Sequence, residues 1–191
     1  MTTQINQSFS NIDFLNDITV CKLIKSKKKF INELEFLQEL QHLDTVVKLI
    51  DYDEPKKKIY LEYLPYSLDT MIKSYKLNYN HKINILKQVC NYIIESHELG
   101  IVHNDLKSKN ILLTEEYEVK IIDYDLASWD SNPQRDIKQF KFLAIQMLFD
   151  IDYTQSYKKY NSYIKKVPEE FYNIFILNDI YKINSILDNI M

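Results

Sequence analysis

The sequence predicts an α+β fold of two lobes: a small antiparallel sheet carrying one helix, then a truncated, mainly helical half. Three observations carry that expectation. Alternating apolar and polar residues dominate the first third, helical periodicity dominates after Pro65, and one polar run, "GIVHNDLKSKNILL" from Gly100 to Leu113, lies between two apolar segments. At 191 residues the chain is long enough to bury a core as a single domain, 1–191, with residues 1–64 as the first lobe and 65–191 as the second.

Taken in order, Ile5 to Ile24 alternate apolar and polar side chains around a turn at "LND", Leu15 to Asp17, which predicts a strand pair ending in "ITVCKLI". From Lys28 to Leu43 the period becomes helical, with Phe30, Leu34, Leu37 and Leu40 on one face. "VVKLIDYD" and "KIYLEYL" predict two strands about the turn "DEPKKK". "SLDTMIKSY" predicts a short helix, and His81 to Leu99 a longer one with Leu86, Val89, Ile93 and Ser96 together. Gly100 then occupies the position of a left-handed residue ending that helix. "NILL" and "EVKIID" predict a hairpin across Thr114 to Tyr117, and Asn132 with Pro133 opens a helix through Asp136, Ile137, Phe140, Ala144 and Met147. Asp152 to Met191 predicts further helices, with Ile180, Ile183, Leu187 and Ile190 as one stripe.

Composition narrows the function. Lys and Arg total 24 against 27 Asp and Glu, and the cations are spread along the chain, so nucleic acid is not an expected partner. The dense patch "KLIKSKKKF" reads as a solvated edge. Cys21 and Cys90 form neither a disulfide framework nor a zinc motif, which suits a reducing, cytoplasmic location. No apolar run approaches the ~18 residues of a membrane span. His42, His81 and His97 share no metal-ligand spacing.

The order of polar residues is more informative than any one of them. A strand carries Lys22, the next helix carries Glu33 and Glu35, a loop carries Asp105 and Asn110, and a strand ends at Asp123. Phosphoryl transfer needs a cation on the phosphates, a carboxylate holding that cation, a base near the acceptor hydroxyl, and oxygen donors for magnesium. With Phe30 at zero and ~100° per residue, Glu33 falls at about 300°, bordering the apolar stripe, and Glu35 at about 140°, facing solvent. Two ordinary surface glutamates remain the plain alternative.

"GIVHNDLKSKNILL" resembles the catalytic loop of the protein kinase superfamily, "TVCKLI" resembles its lysine-bearing strand, and "IIDYD" resembles its D-F-G element. The resemblance implies ATP and Mg2+ as cofactors. It makes Asp105 the base, Asn110 and Asp123 the metal ligands, Lys22 the phosphate-pairing lysine and Glu33 its partner. Lys107 matches members that phosphorylate serine or threonine, where it steadies the transferring phosphoryl group. His103 implies loop support, and Asp136 the buried aspartate holding that loop from below, or else a plain first-turn acid. Leu61, Glu62, Tyr63 and Leu64 resemble the strand and hinge behind adenine.

Departures from the family pattern are equally specific. The glycine-rich phosphate loop aligns with "INQSFSNI": Ser8, Phe9 and Ile12 keep their types, while Ile5, Gln7 and Ser10 stand at the glycine positions. Asn104 replaces the arginine that reads a phosphorylated activation loop, and Asp125 replaces the D-F-G glycine, where it would crowd the metal site or add an outer ligand. Only about a dozen residues separate Asp123 from Asp136. The combination is similar to small atypical kinases such as RIO kinases and the small kinase of the KEOPS complex. It implies a monomeric, ATP- and Mg-dependent Ser/Thr protein kinase acting on a protein substrate, free of activation-loop phosphorylation control. Alternatives are a pseudokinase or kinase mimic that binds a protein partner, and a small-molecule kinase.

Overall fold

The computed structural model describes residues 12–16, 18–74, 76–130, 132–151 and 158–190. The first lobe is a four-stranded antiparallel sheet in the order β1-β2-β4-β3, formed by β1 (Ile12–Asn16), β2 (Thr19–Leu23), β3 (Leu49–Asp53) and β4 (Lys58–Glu62). Central β2 opposes β4 with Lys22 across from Ile59. One helix, α1 (Lys27–Glu39), is started by the Ser26 hydroxyl, which accepts from the Lys29 amide at 3.4 Å. It buries Phe30, Glu33, Phe36 and Leu37.

The helix ends before the predicted Leu43. Tertiary hydrogen bonds take over there: Gln41 donates from Nε2 to the Val47 carbonyl at 3.0 Å and accepts the Leu49 amide at 2.8 Å. The strand predicted from Val46 also starts late, at Leu49. Val46 bridges to Ile121, and the Val47 amide donates to the Ile121 carbonyl at 3.1 Å, so this stretch joins the first lobe to the second.

Helices α2 (Leu68–Lys73) and α3 (Tyr79–Glu98) follow, capped by Ser67 and Asn78. Gly100 sits at φ +77° as the sequence leads one to expect. A 3-10 turn (Ser108–Asn110) leads into β7 (Ile111–Leu113), which pairs with β8 (Val119–Ile121) as the predicted hairpin and with the two-residue β5 (Tyr66–Ser67). A second short pair, β6 (Ile101–Val102) with β9 (Ser128–Trp129), closes the polar run against the segment after Asp123. Helix α4 (Gln134–Phe149) lies beneath, followed by α5 (Tyr160–Ile164), α6 (Glu169–Ile176) and α7 (Ile180–Asn189). Leu86, Val89 and Ile93 of α3 share one buried cluster with Ile137 and Phe140 of α4 and Ile183 and Leu187 of α7. Among the described residues no helix is long and apolar enough to cross a membrane.

Candidate active site

Lys22 is the meeting point of both lobes. Its Nζ donates to Glu33 Oε1 and Oε2 at 2.6 and 2.8 Å and to Asp123 Oδ1 at 2.7 Å. Burial opposes its charge, yet Glu33 and Asp123 outweigh burial and hold the ammonium above its ordinary value. Burial pushes the Glu33 carboxyl up to about 7, against the pull of Lys22. Burial also works to raise Asp123, but Lys22, with lesser help from His103 and Lys107, holds that carboxyl below its ordinary value. Glu35 is exposed and accepts from Trp129 Nε1 at 2.9 Å.

The polar run forms one hydrogen-bonded unit. Lys107 Nζ donates to Asp105 Oδ2 at 2.6 Å, and Asn110 Nδ2 donates to the same oxygen at 2.9 Å and to the Asp105 carbonyl at 3.0 Å. Ile122 N–H donates to the Asn110 carbonyl at 3.0 Å, which ties Asn110 to the strand end carrying Asp123. Asp123 itself adopts φ +72°, a left-handed conformation that Asp tolerates better than most residues.

Fully buried Asp136 supports this loop from α4. Its Oδ2 accepts the His103 amide and its Oδ1 the Asn104 amide, both at 2.8 Å, and His97 Nε2 lies 3.1 Å from Oδ2. Gln139, one turn on, accepts the Leu106 amide and donates to the Asn104 carbonyl, both at 2.9 Å. Sequence reasoning missed Gln139, although its spacing of three from Asp136 puts both on one helix face. The buried His103 ring accepts the Asp105 amide at Nδ1, 3.2 Å, so its hydrogen sits on Nε2 and points to the Ile122 carbonyl at 3.1 Å. Burial lowers its pKa, against the nearby Asp136 carboxylate. With both nitrogens engaged, His103 braces the loop.

On the hinge side, Leu61 is buried opposite Val20, and the Glu62 carboxylate accepts the Lys48 amide at 2.7 Å. The Tyr63 amide donates to the Ile18 carbonyl at 2.9 Å, and partly buried Leu64 packs against the core. Ser8 and Phe9 lie outside the described residues, and Ile12 opens β1. Asp125 turns Oδ2 to Lys29 Nζ at 2.6 Å, on α1. No cluster of three or more His, Cys, Asp or Glu side chains able to hold a metal exists among the described residues. Asn110 and Asp123 supply hard oxygen donors, and that set fits magnesium, which uses one or two carboxylates and completes its shell with water and phosphate.

A lysine bridging a helix glutamate and a strand-end aspartate thus lies beside an Asp–Lys–Asn loop anchored from below. A protein kinase domain profile matches residues 16–157, and the chain belongs to the protein kinase family. Similar relatives include MDIS1-interacting receptor like kinase 2 of Arabidopsis thaliana, 34% identical over 53% of this chain and 11% of that protein. A probable CTD kinase subunit alpha homolog of Encephalitozoon cuniculi is 34% identical over 52% of this chain and 31% of that protein. Mitogen-activated protein kinase 14 of Xenopus laevis is 31% identical over 52% and 30%. The aligned region thus spans about a third or less of the length of each of these relatives.

Proposed function

We propose that the chain is an ATP- and Mg-dependent phosphotransferase of the Ser/Thr protein kinase type, moving the γ-phosphate of ATP to a hydroxyl of a protein. The Lys22 contacts to Glu33 and Asp123 carry this reading, because they bring a charge-neutralised lysine to the carboxylate expected to hold the metal. Glu33 fixes the direction of Lys22 toward the phosphates. Asp105 receives the proton of the acceptor hydroxyl, and the ammonium of Lys107, already on its Oδ2, lies beside the path of the transferring group. Asn110 and Asp123 would hold magnesium, which would supply neutralisation of the phosphate charge. Asp136 and Gln139 keep the Asp105 backbone from shifting.

The proposed enzyme works without a phosphorylated activation loop, a reading supported by Asn104, which donates from Nδ2 to the Leu126 carbonyl at 3.2 Å and Ser128 Oγ at 2.8 Å in the segment after Asp123. A cytoplasmic, monomeric enzyme is the form proposed. Radiolabelled ATP with purified protein and generic protein acceptors tests the reading. Asp105→Asn and Asp123→Ala are each expected to lower transfer at least ~100-fold. Wild-type incorporation no higher than theirs refutes it and leaves the binding-only mimic or a small-molecule kinase.

A further inference from the structure

Residues 124–127 form a tight turn, closed by the Ala127 amide donating to the Tyr124 carbonyl at 3.0 Å. Two asparagine side chains collect all four carbonyls of that turn. Asn32 Nδ2 lies 3.1, 3.3 and 2.9 Å from the oxygens of Tyr124, Asp125 and Ala127. Asn104 Nδ2 takes the Leu126 oxygen at 3.2 Å, together with Ser128 Oγ at 2.8 Å and the Val102 carbonyl at 3.3 Å. Each amide nitrogen has two hydrogens for three acceptors, so the bonds are shared. A carboxylate at either position would face these oxygens with no hydrogen to offer.

Asn32 belongs to a stripe of α1 turned toward this segment. Lys29, three residues before it, pairs with Asp125, and Phe36, four after it, lies 5.4 Å from the Trp129 ring centroid. These contacts differ in weight. Lys29 is 52% exposed, and an exposed ion pair contributes little. The part-buried amide of Asn32, with three carbonyl partners, is the stronger fastening, and removal of such a donor leaves its acceptors short. Asn32 also adjoins Glu33, so what holds one holds the other. On the opposite side Asn104 adopts φ +67°, which asparagine tolerates, with its amide fixed by Asp136.

We propose that Asn32 and Asn104 are positioning residues that clamp the 124–127 turn between α1 and the Asp105 loop, keeping Asp123 and the Lys22–Glu33 pair assembled without a phosphorylated residue. The clamp rests on the phosphotransferase reading for its purpose, though not for its existence. Asn32→Asp and Asn104→Asp keep size and shape while removing the donors, and Asn32→Gln keeps the amide.

Hydrogen exchange of the purified chain, followed by mass spectrometry over residues 123–130, reads the clamp without any activity. Exchange at least about tenfold faster is expected in both Asp variants, with Asn32→Gln closer to wild type. Transfer from ATP should fall at least about tenfold in kcat, with KM for ATP moved less than about threefold. Unchanged exchange in both Asp variants overturns the clamp, whether or not the wild type transfers phosphate. Faster exchange with an unchanged kcat in an active protein overturns the positioning role. Faster exchange in a chain whose wild type is inactive supports the clamp and counts against the transferase reading alone. If Asn32→Asp fails to fold, Asn104→Asp and Asn32→Gln carry the same comparison.

Discussion

Replacing Glu33 by glutamine separates the cost of burying this carboxyl from its service to Lys22. The group is fully buried and its pKa stands at about 7 against an ordinary 4.5. That displacement corresponds to about 3 kcal/mol between its charged and neutral forms. The sign follows from linkage: a carboxyl raised on folding contributes stability that is complete below about 4.5 and lost as pH rises through about 7. Between about pH 5 and about pH 8 the wild type should therefore lose roughly 2–3 kcal/mol that Glu33→Gln, having no proton to release, keeps. Other titrating groups are common to both proteins and cancel in the difference, and Lys22 retains Asp123 as a partner at 2.7 Å. Scanning calorimetry across that range should show the Tm of Glu33→Gln rising relative to wild type by about 5–10 °C. A Tm difference that does not change with pH refutes the reasoning.

Two further substitutions probe the frame around the site. Asp136→Asn sets an NH2 group against the His103 or Asn104 amide in a fully buried place, and should cost about 1–3 kcal/mol, read as a lower urea midpoint with an unchanged slope. An unchanged midpoint would mean that these bonds do not hold the loop. Gly100→Ala meets no atom within 4 Å, so only its φ of +77° opposes it. A loss of about 1–2 kcal/mol, or a Tm lower by about 2–8 °C, is expected, and a neutral result would contradict the strain.

The parts of the fold visible in the sequence were those governed by local periodicity. The α1, α3 and α4 stripes, the Thr114–Tyr117 hairpin and the left-handed Gly100 all follow from spacing within one element. The two-residue strands at Tyr66, Ile101 and Ser128 did not, because two residues show no period and their partners are distant. Val46 and Val47 have strand-like side chains, but their pairing with Ile121 is a tertiary choice.

The candidate site divides in the same way. Helical geometry singled out Glu33, and the structure places it against Lys22. The stripe drawn through Phe30, Leu34, Leu37 and Leu40 left out Phe36, which at about 240° widens the buried face toward Trp129. Asn32, at about 200°, lies on the margin of that wider face, and its three acceptors come from a turn more than 90 residues away. Asp125 looked like a hazard to the metal because its partner Lys29 stands 96 residues earlier. Such pairings emerge only when the chain has folded.

The central claim is that this site transfers phosphate and does not merely hold nucleotide. Asp105→Asn is the most direct measurement, with ATP–Mg binding followed by thermal shift and transfer followed by radiolabel on the same samples. Wild type and variant should be stabilised alike by ATP with magnesium, while incorporation in the variant falls at least ~100-fold. Equal incorporation in both, or none in either, would contradict the account.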